Sequence, residues 1–297
     1  MKVCFYTEGH LGDFILTIPF LNLLIEKYPD NEYYQNVYGS QGTVYPDIFF
    51  KTVPKLIPTE KLEGDLVIPT WFCDPIYIPL HMSTEEVLKN LYPYDMVSNQ
   101  KHFWKHIYSS YGFNITIPDN IGLDFDFKSI IDEKSLNLIG KLKDNPRKKI
   151  LFVNIRGRSG QTDNEDWLLR ISQLASLYPE YDFYYTNSES HKVSETNVIH
   201  TPTIFGEHKS DIIHNSYLST FCDIIVAKNS GAFQAISMQN KNVMDEKKIL
   251  VCQTQDNVHV ADLECFYNQT LYKATNVHTR TTPETFIELT KILETWE

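Results

Sequence analysis

Short apolar runs alternate along this chain with segments of helical period, and the alternation starts twice. The first start is "VCFYT" (3–7), a glycine-flanked turn, and then "DFILTIPFLNLLIEKYP" (13–29), with apolar residues at 14, 15, 18, 20, 21, 24 and 25. That order, a buried strand and then an amphipathic helix closed by proline, is the opening of a βα unit. The second start is "KKILFVNI" (148–155), after which strands are expected at 181–186, 222–228 and 248–252. Helices are expected between and after them at 163–179, 211–221, 230–238 and 282–296. The last of these opens with Thr281 and Glu284 at capping-box spacing. Strand-then-helix repetition of this kind builds parallel sheets covered by helices, so the fold class is α/β.

The stretch between the two starts is less regular. "TVPKLIP" and "GDLVIPTW" are expected strands, and helices are expected at 83–92, 99–113 and 127–146. Pro146 ends the last of these, so the expected division is a Rossmann-like domain over 1–146 and a second over 147–297. A chain of 297 residues is long enough for two such domains. The cleft between them is where ligands are expected, because α/β sheets bind at the carboxyl ends of their strands.

Charge and cysteine usage narrow the function classes. The formal net charge is −11, and the basic runs Arg147-Lys148-Lys149 and Lys247-Lys248 are short. A nucleic-acid partner is therefore not expected. The five cysteines are scattered and none pairs at metal-ligand or redox spacing. No apolar run approaches the roughly 20 residues of a membrane span, and "KVCFY" leads directly into a strand without a leader pattern, so a cytoplasmic location is expected. Transient contact with a membrane surface stays open. The sequons at Asn114 and Asn268 are then chance matches.

Two motifs carry chemistry. The first is Gly12-Asp13-Phe14-Ile15-Leu16-Thr17-Ile18-Pro19, running on to Glu26-Lys27-Tyr28-Pro29. The second follows an expected strand, where Asn229-Ser230-Gly231 leads through Ala232 and Phe233 to Gln234. Together they resemble the heptosyltransferase family of glycosyltransferases. That family has a Gly-Asp-apolar-apolar-x-Thr-x-Pro signature near its start and Asp-[Ser/Thr]-Gly-x-x-His near its end. Asn229 stands here for the Asp and Gln234 for the His. The resemblance implies a GT-B fold of two Rossmann-like domains with parallel sheets facing across a cleft. It also implies an inverting glycosyltransferase without metal or other cofactor, its acceptor on the N-terminal half and its nucleotide-sugar donor on the C-terminal half.

On that basis Asp13 is the candidate base. An acceptor hydroxyl must lose a proton as it attacks the anomeric carbon, and a carboxylate in reach is the simplest recipient. A helix N-terminus favours the ionised form, which burial would have to oppose. Asp is also a preferred N-cap, so capping alone could account for it. His10 and Gly12 are candidates for the acceptor side. Arg156 and Arg158 flank a glycine in the polar loop after the first strand of the second half, and Arg suits bidentate phosphate contact. Asn229, Ser230, Gly231, Ala232 and Gln234 complete the candidate donor site, with helix-opening N–H groups for an anion. Lys228 could add a cation or lie behind the sheet, and Thr186–Glu189 ends a strand where a base or ribose could sit.

Other arrangements are weighed against these. Asp124-Phe125-Asp126 has the spacing of a metal-binding Asp-x-Asp, but a solvated strand face is the plainer reading. His102 and His106 share a helix face, as zinc ligands can, yet Phe103 and Trp104 between them indicate packing. Three alternatives to a transferase stay open. They are a nucleotide-sugar hydrolase on the same fold, a fucosyltransferase-like enzyme using GDP-fucose, and a non-catalytic sugar-binding relative.

Overall fold

The structure is a computed structural model that describes residues 1–7, 11–39, 44–70, 98–118, 121–156, 162–186, 193–205, 211–243, 245–253 and 274–296. The expected helix over 83–92 lies outside them. The chain divides into two compact units, with residues up to 125 in the first and residue 126 onward, as far as Gln253, in the second.

The described residues of the first unit form a four-stranded parallel sheet in the order β3-β2-β1-β4. Its strands are β1 (Lys2–Tyr6), β2 (Glu32–Asn36), β3 (Leu56–Thr59) and β4 (Leu66–Pro69). Val3, Cys4 and Phe5 of the central β1 are buried, which is why that strand reads as an unbroken apolar run. Helix α1 (Leu11–Lys27) follows, and every residue from Phe14 to Leu21 is buried. Phe14 stacks on Tyr45, and Phe20 stacks on Trp104 of α2 (Ser98–Ser110). Pro19 sits inside α1 and has no N–H for the carbonyl one turn earlier. The Tyr108 hydroxyl donates to the Phe20 carbonyl at 2.7 Å, and the Thr17 hydroxyl to that of Phe14 at 2.7 Å.

The described residues of the second unit form a six-stranded parallel sheet in the order β10-β9-β8-β5-β6-β7. The strands are β5 (Lys148–Val153), β6 (Tyr181–Tyr185), β7 (Val198–His200), β8 (Ile224–Lys228), β9 (Ile249–Gln253) and β10 (Thr275–Thr279). Its helices include α3 (Glu133–Lys143), α4 (Leu168–Leu177), α5 (Asp211–Ser219), α6 (Gly231–Ser237) and α7 (Thr282–Thr295). Trp167, Ile171 and Leu174 pack with Phe286, Leu289 and Leu293 of α7 against Phe152, Phe183 and Val226 of the sheet.

Two expected helices are shorter than their sequence period. Over 127–146 the chain makes one turn (Phe127–Ile130) and restarts as α3, because the Asp132 carboxylate caps the Ser135 N–H at 3.0 Å. This segment belongs to the second unit: Phe127 packs on Tyr217, and α3 packs on α5 and on the short helix Thr201–Phe205. The helix expected from 163 begins only at Leu168, because the Asp163 carboxylate is engaged elsewhere in the sheet edge, as described below. At the C-terminal end, α7 has the expected cap: the Thr281 side chain accepts from the Glu284 N–H, and the Glu284 carboxylate accepts from the Arg280 N–H at 2.6 Å.

Candidate functional site

In the first unit the motif residues gather where β1 ends and α1 begins. Helix α1 starts at Leu11, two residues before the expected position, so Gly12 and Asp13 lie inside its first turn. Asp13 is the third helical residue and not the N-cap; its place among the first N–H groups still favours a carboxylate there. Both residues are partly exposed, whereas Phe14 and Ile15 are buried. The strand ends beside them are polar. The Thr7 and Thr70 hydroxyls bond to each other, the Thr70 hydroxyl donates to the Tyr6 carbonyl at 3.0 Å, and the Tyr45 hydroxyl donates to the Thr7 carbonyl at 3.4 Å. His10 lies outside the described residues.

In the second unit three strand ends converge. At the end of β5, Asn154 adopts a left-handed backbone with φ 55°, a conformation Asn tolerates better than most residues. Its N–H donates to the Thr186 hydroxyl at the end of β6, 2.9 Å away. Arg156 follows and is exposed. Arg158 lies outside the described residues, as do Asn187, Ser188 and Glu189.

The end of β8 is Lys228, followed by Asn229 and the short helix α6. Ser230 is the N-cap, extended in backbone, and its hydroxyl accepts from the Phe233 N–H at 3.3 Å. Gly231 and Ala232 supply the first helical N–H groups, which the helix itself does not satisfy. The Asn229 N–H is bound to the Gln253 carbonyl at 2.9 Å. Asn229 is only 4% exposed, and its Oδ1 has no hydrogen-bond partner among the described residues; the same holds for Gln234 Oε1. Two buried acceptors at the start of one helix are groups that ligand hydroxyls or amines can satisfy.

Lys228 does not lie behind the sheet. Its side chain is 0% exposed, and its ammonium donates to the Asp163 carbonyl at 2.9 Å, to Asp163 Oδ1 at 3.0 Å and to the Glu165 carbonyl at 2.6 Å. Asp163 also accepts from Gln253 Nε2 at 2.6 Å and from the Thr282 N–H at 3.0 Å, with the Thr282 hydroxyl 2.9 Å from both its oxygens. Burial works against ionisation of Asp163, but the hydrogen bonds from Lys228, Thr282 and Gln253 together outweigh it and hold the carboxyl below its ordinary range. Sequence reasoning missed Asp163, Gln253 and Thr282. Asp163 was hidden in an apparent helix start, and the other two look like ordinary strand-end and cap residues.

The alternative ligand sets have plain surroundings. Asp124 and Asp126 are exposed and lie in none of the strands among the described residues, which corrects the expected strand face. Phe103 and Trp104 are fully buried, and His106 is exposed next to Ser110; the His102 side chain lies outside the described residues. Among the described residues no group of three or more His, Cys, Asp or Glu could hold a metal ion.

No family model matches the chain, and no curated protein matches it either. Solved structures do. The glycosyl transferase family 9 protein from Veillonella parvula matches at TM-score 0.53 and 12% identity, covering 99% of this chain and 89% of that one. E. coli heptosyltransferase WaaC with ADP-2-deoxy-2-fluoro heptose matches at TM-score 0.59 and 12% identity over 99% of both chains. E. coli ADP-heptose lps heptosyltransferase II matches at TM-score 0.52 and 11% identity, again over 99% of both.

This chain has their fold. The two parallel-sheet units are thus the Rossmann-like halves of a GT-B architecture. Within it, the motif around Asp13 opens the first half, and the turn around Asn229 follows a central strand of the second.

Proposed function

We propose that this chain is a metal-independent, inverting glycosyltransferase that moves a sugar from a nucleotide-sugar donor to a hydroxyl of a glycan or lipopolysaccharide-type acceptor. The observation that carries the reading is the GT-B fold combined with a carboxylate, Asp13, in the first turn of the helix that follows the first strand. Strand ends of parallel sheets are where such folds place ligands.

In this reading Asp13 takes the proton from the acceptor hydroxyl as its oxygen attacks the anomeric carbon. The bond to the nucleoside diphosphate breaks on the opposite face, so a single displacement inverts the centre. The departing diphosphate meets Arg156, Arg158 and the N–H groups of Gly231 and Ala232, charge that binds a leaving group without a metal. Asn229 and Gln234 present their unpaired oxygens to sugar hydroxyls. His10 and Gly12 border the acceptor.

A second reading rests on the same two side chains. Asn229 and Gln234 are neutral where the resembled family has an acid and a histidine, which suits a sugar-binding relative without turnover. Incubation with ADP-, GDP- and UDP-sugars in the presence of EDTA separates the two. Acceptor-dependent release of one nucleoside diphosphate, abolished in Asp13→Asn, supports the transferase. Release at the same rate without acceptor indicates a hydrolase, and binding without release from any donor indicates the sugar-binding relative.

A further inference from the structure

Asp163 sits in a segment that carries no motif, yet its carboxylate gathers a dense set of hydrogen bonds. Five donors converge on its carboxylate: the Lys228 ammonium, the Gln253 amide, the N–H and hydroxyl of Thr282, and the nearby Glu165 N–H at 3.3 Å. The Trp167 indole N–H donates to Thr282 Oγ1 at 2.7 Å, which leaves the single Thr282 proton for Asp163. Trp167 is fully buried, and the Lys228 ammonium lies 5.1 Å from its ring centroid. The three side chains that donate come from different parts of the fold. Lys228 ends β8, Gln253 ends β9 and Thr282 opens α7.

The consequence is local order. Lys228 also holds the Asp163 and Glu165 carbonyls, so the returning arm of the loop after β5 is tied to β8 by three bonds from one ammonium. The next residue after Lys228 is Asn229, whose N–H is bound to the Gln253 carbonyl. Asp163 therefore grips both residues that flank the Asn229 backbone, one along the chain and one across the sheet.

We propose that Asp163 is a positioning residue: its carboxylate clasps Lys228, Gln253 and Thr282, fixes segment 162–167 on the turn carrying Asn229 and Ser230, and thereby sets the geometry in which a nucleoside diphosphate is bound. The clasp stands on these contacts alone; its effect on the nucleotide rests on the donor-site reading above. Asp163 touches no substrate in this account. Its charge is consumed within the protein, and it removes Lys228 from the set of cations open to a phosphate.

Three variants test it. Asp163→Ala empties the clasp, Asp163→Asn keeps its volume but turns an N–H toward donors, and Ile139→Ala destabilises α3 elsewhere in the same unit. Titrations with ADP, GDP and UDP are run with and without sodium formate, sodium chloride matching the ionic strength. The wild type binds one nucleotide, Asp163→Ala and Asp163→Asn bind it about tenfold more weakly or worse, and Ile139→Ala binds it normally. Formate restores binding to Asp163→Ala, where a carboxylate fits, and not to Asp163→Asn. Unchanged affinity in both Asp163 variants overturns the positioning role, as does an equal loss in Ile139→Ala. Hydrogen exchange of segment 162–167 reads the clasp separately. Faster exchange in Asp163→Ala that formate slows upholds it, and exchange equal to wild type overturns it. Absence of nucleotide binding in the wild type overturns the donor site and the proposed effect on it, while the exchange result still decides the clasp.

Discussion

Replacing Lys228 by methionine keeps the length of the side chain and removes only the charge and its three donors. Two backbone carbonyls, of Asp163 and Glu165, lose their ammonium partner, and the Asp163 carboxylate is left with Gln253, Thr282 and the Glu165 N–H. Breaking a buried ion pair from one side costs about 3–5 kcal/mol. Asp163 is 24% exposed and retains its other donors, so water recovers part of that, and the expected loss is about 3 kcal/mol. With a urea slope of about 1–3 kcal/mol per molar, the unfolding midpoint moves down by roughly 1 M or more. A pH series adds a second signature. The folded Asp163 holds its proton more weakly than the unfolded chain, whose value is 3.8. The stability it contributes is therefore complete above that pH and is lost as the pH falls through the lower folded value. In Lys228→Met that contribution shrinks, so the two proteins converge in stability at acid pH. A loss below about 1 kcal/mol at neutral pH, or a gap that stays constant into acid, refutes the reasoning.

Further predictions follow from single residues. Asp13→Asn leaves the melting temperature close to wild type, since the residue is in the first turn and is not the cap, while turnover falls by about 10²–10⁴ as befits a lost base; comparing melting curve with rate checks both. Lys248 is almost wholly buried, donates to the Cys222 carbonyl at 2.6 Å, and is lowered by that burial to about 8 from 10.5. Between those values the unfolded chain binds the extra proton, so the burial penalty is relieved and stability relative to Lys248→Met rises with pH; a flat difference from pH 7 to 10 contradicts this. Cys4, Cys222 and Cys252 are buried, and burial raises all three thiols, that of Cys222 to about 12. Native protein treated with iodoacetamide at pH 8 therefore carries no label on these three by peptide mass spectrometry until it is unfolded.

The core of this fold is readable because parallel strands buried on both faces need unbroken apolar runs. "VCFY", "ILFV" and "IIVA" are such runs, and each is a central strand. What escaped is polar or at an edge. β2 is "EYYQN", with Gln35 buried in the sheet, and β7 and β10 are edge strands of three and five residues, "VIH" and "TNVHT". The helix starts at 131–133 and 167–168 escaped for a different reason. Periodicity continued through them, but Asp132 and Asp163 bind their carboxylates to groups that a continuous helix would not meet. At the candidate site the turn from Lys228 to Gln234 was legible from strand, small residues and helix period in succession. The clasp around Asp163 was not, because its side-chain donors come from residues 228, 253 and 282, brought together only by parallel pairing of β8 with β9 and the docking of α7.

The central claim is that a nucleotide binds at the strand ends of the second unit. Hydrogen exchange read by mass spectrometry, with each of ADP, GDP and UDP at saturation, tests it directly. The account predicts slowed exchange for one nucleotide in peptides covering 154–156 and 229–234, with β1 and the body of α1 unchanged. Slowed exchange at α1 with none at 229–234, or no response to any nucleotide, contradicts it.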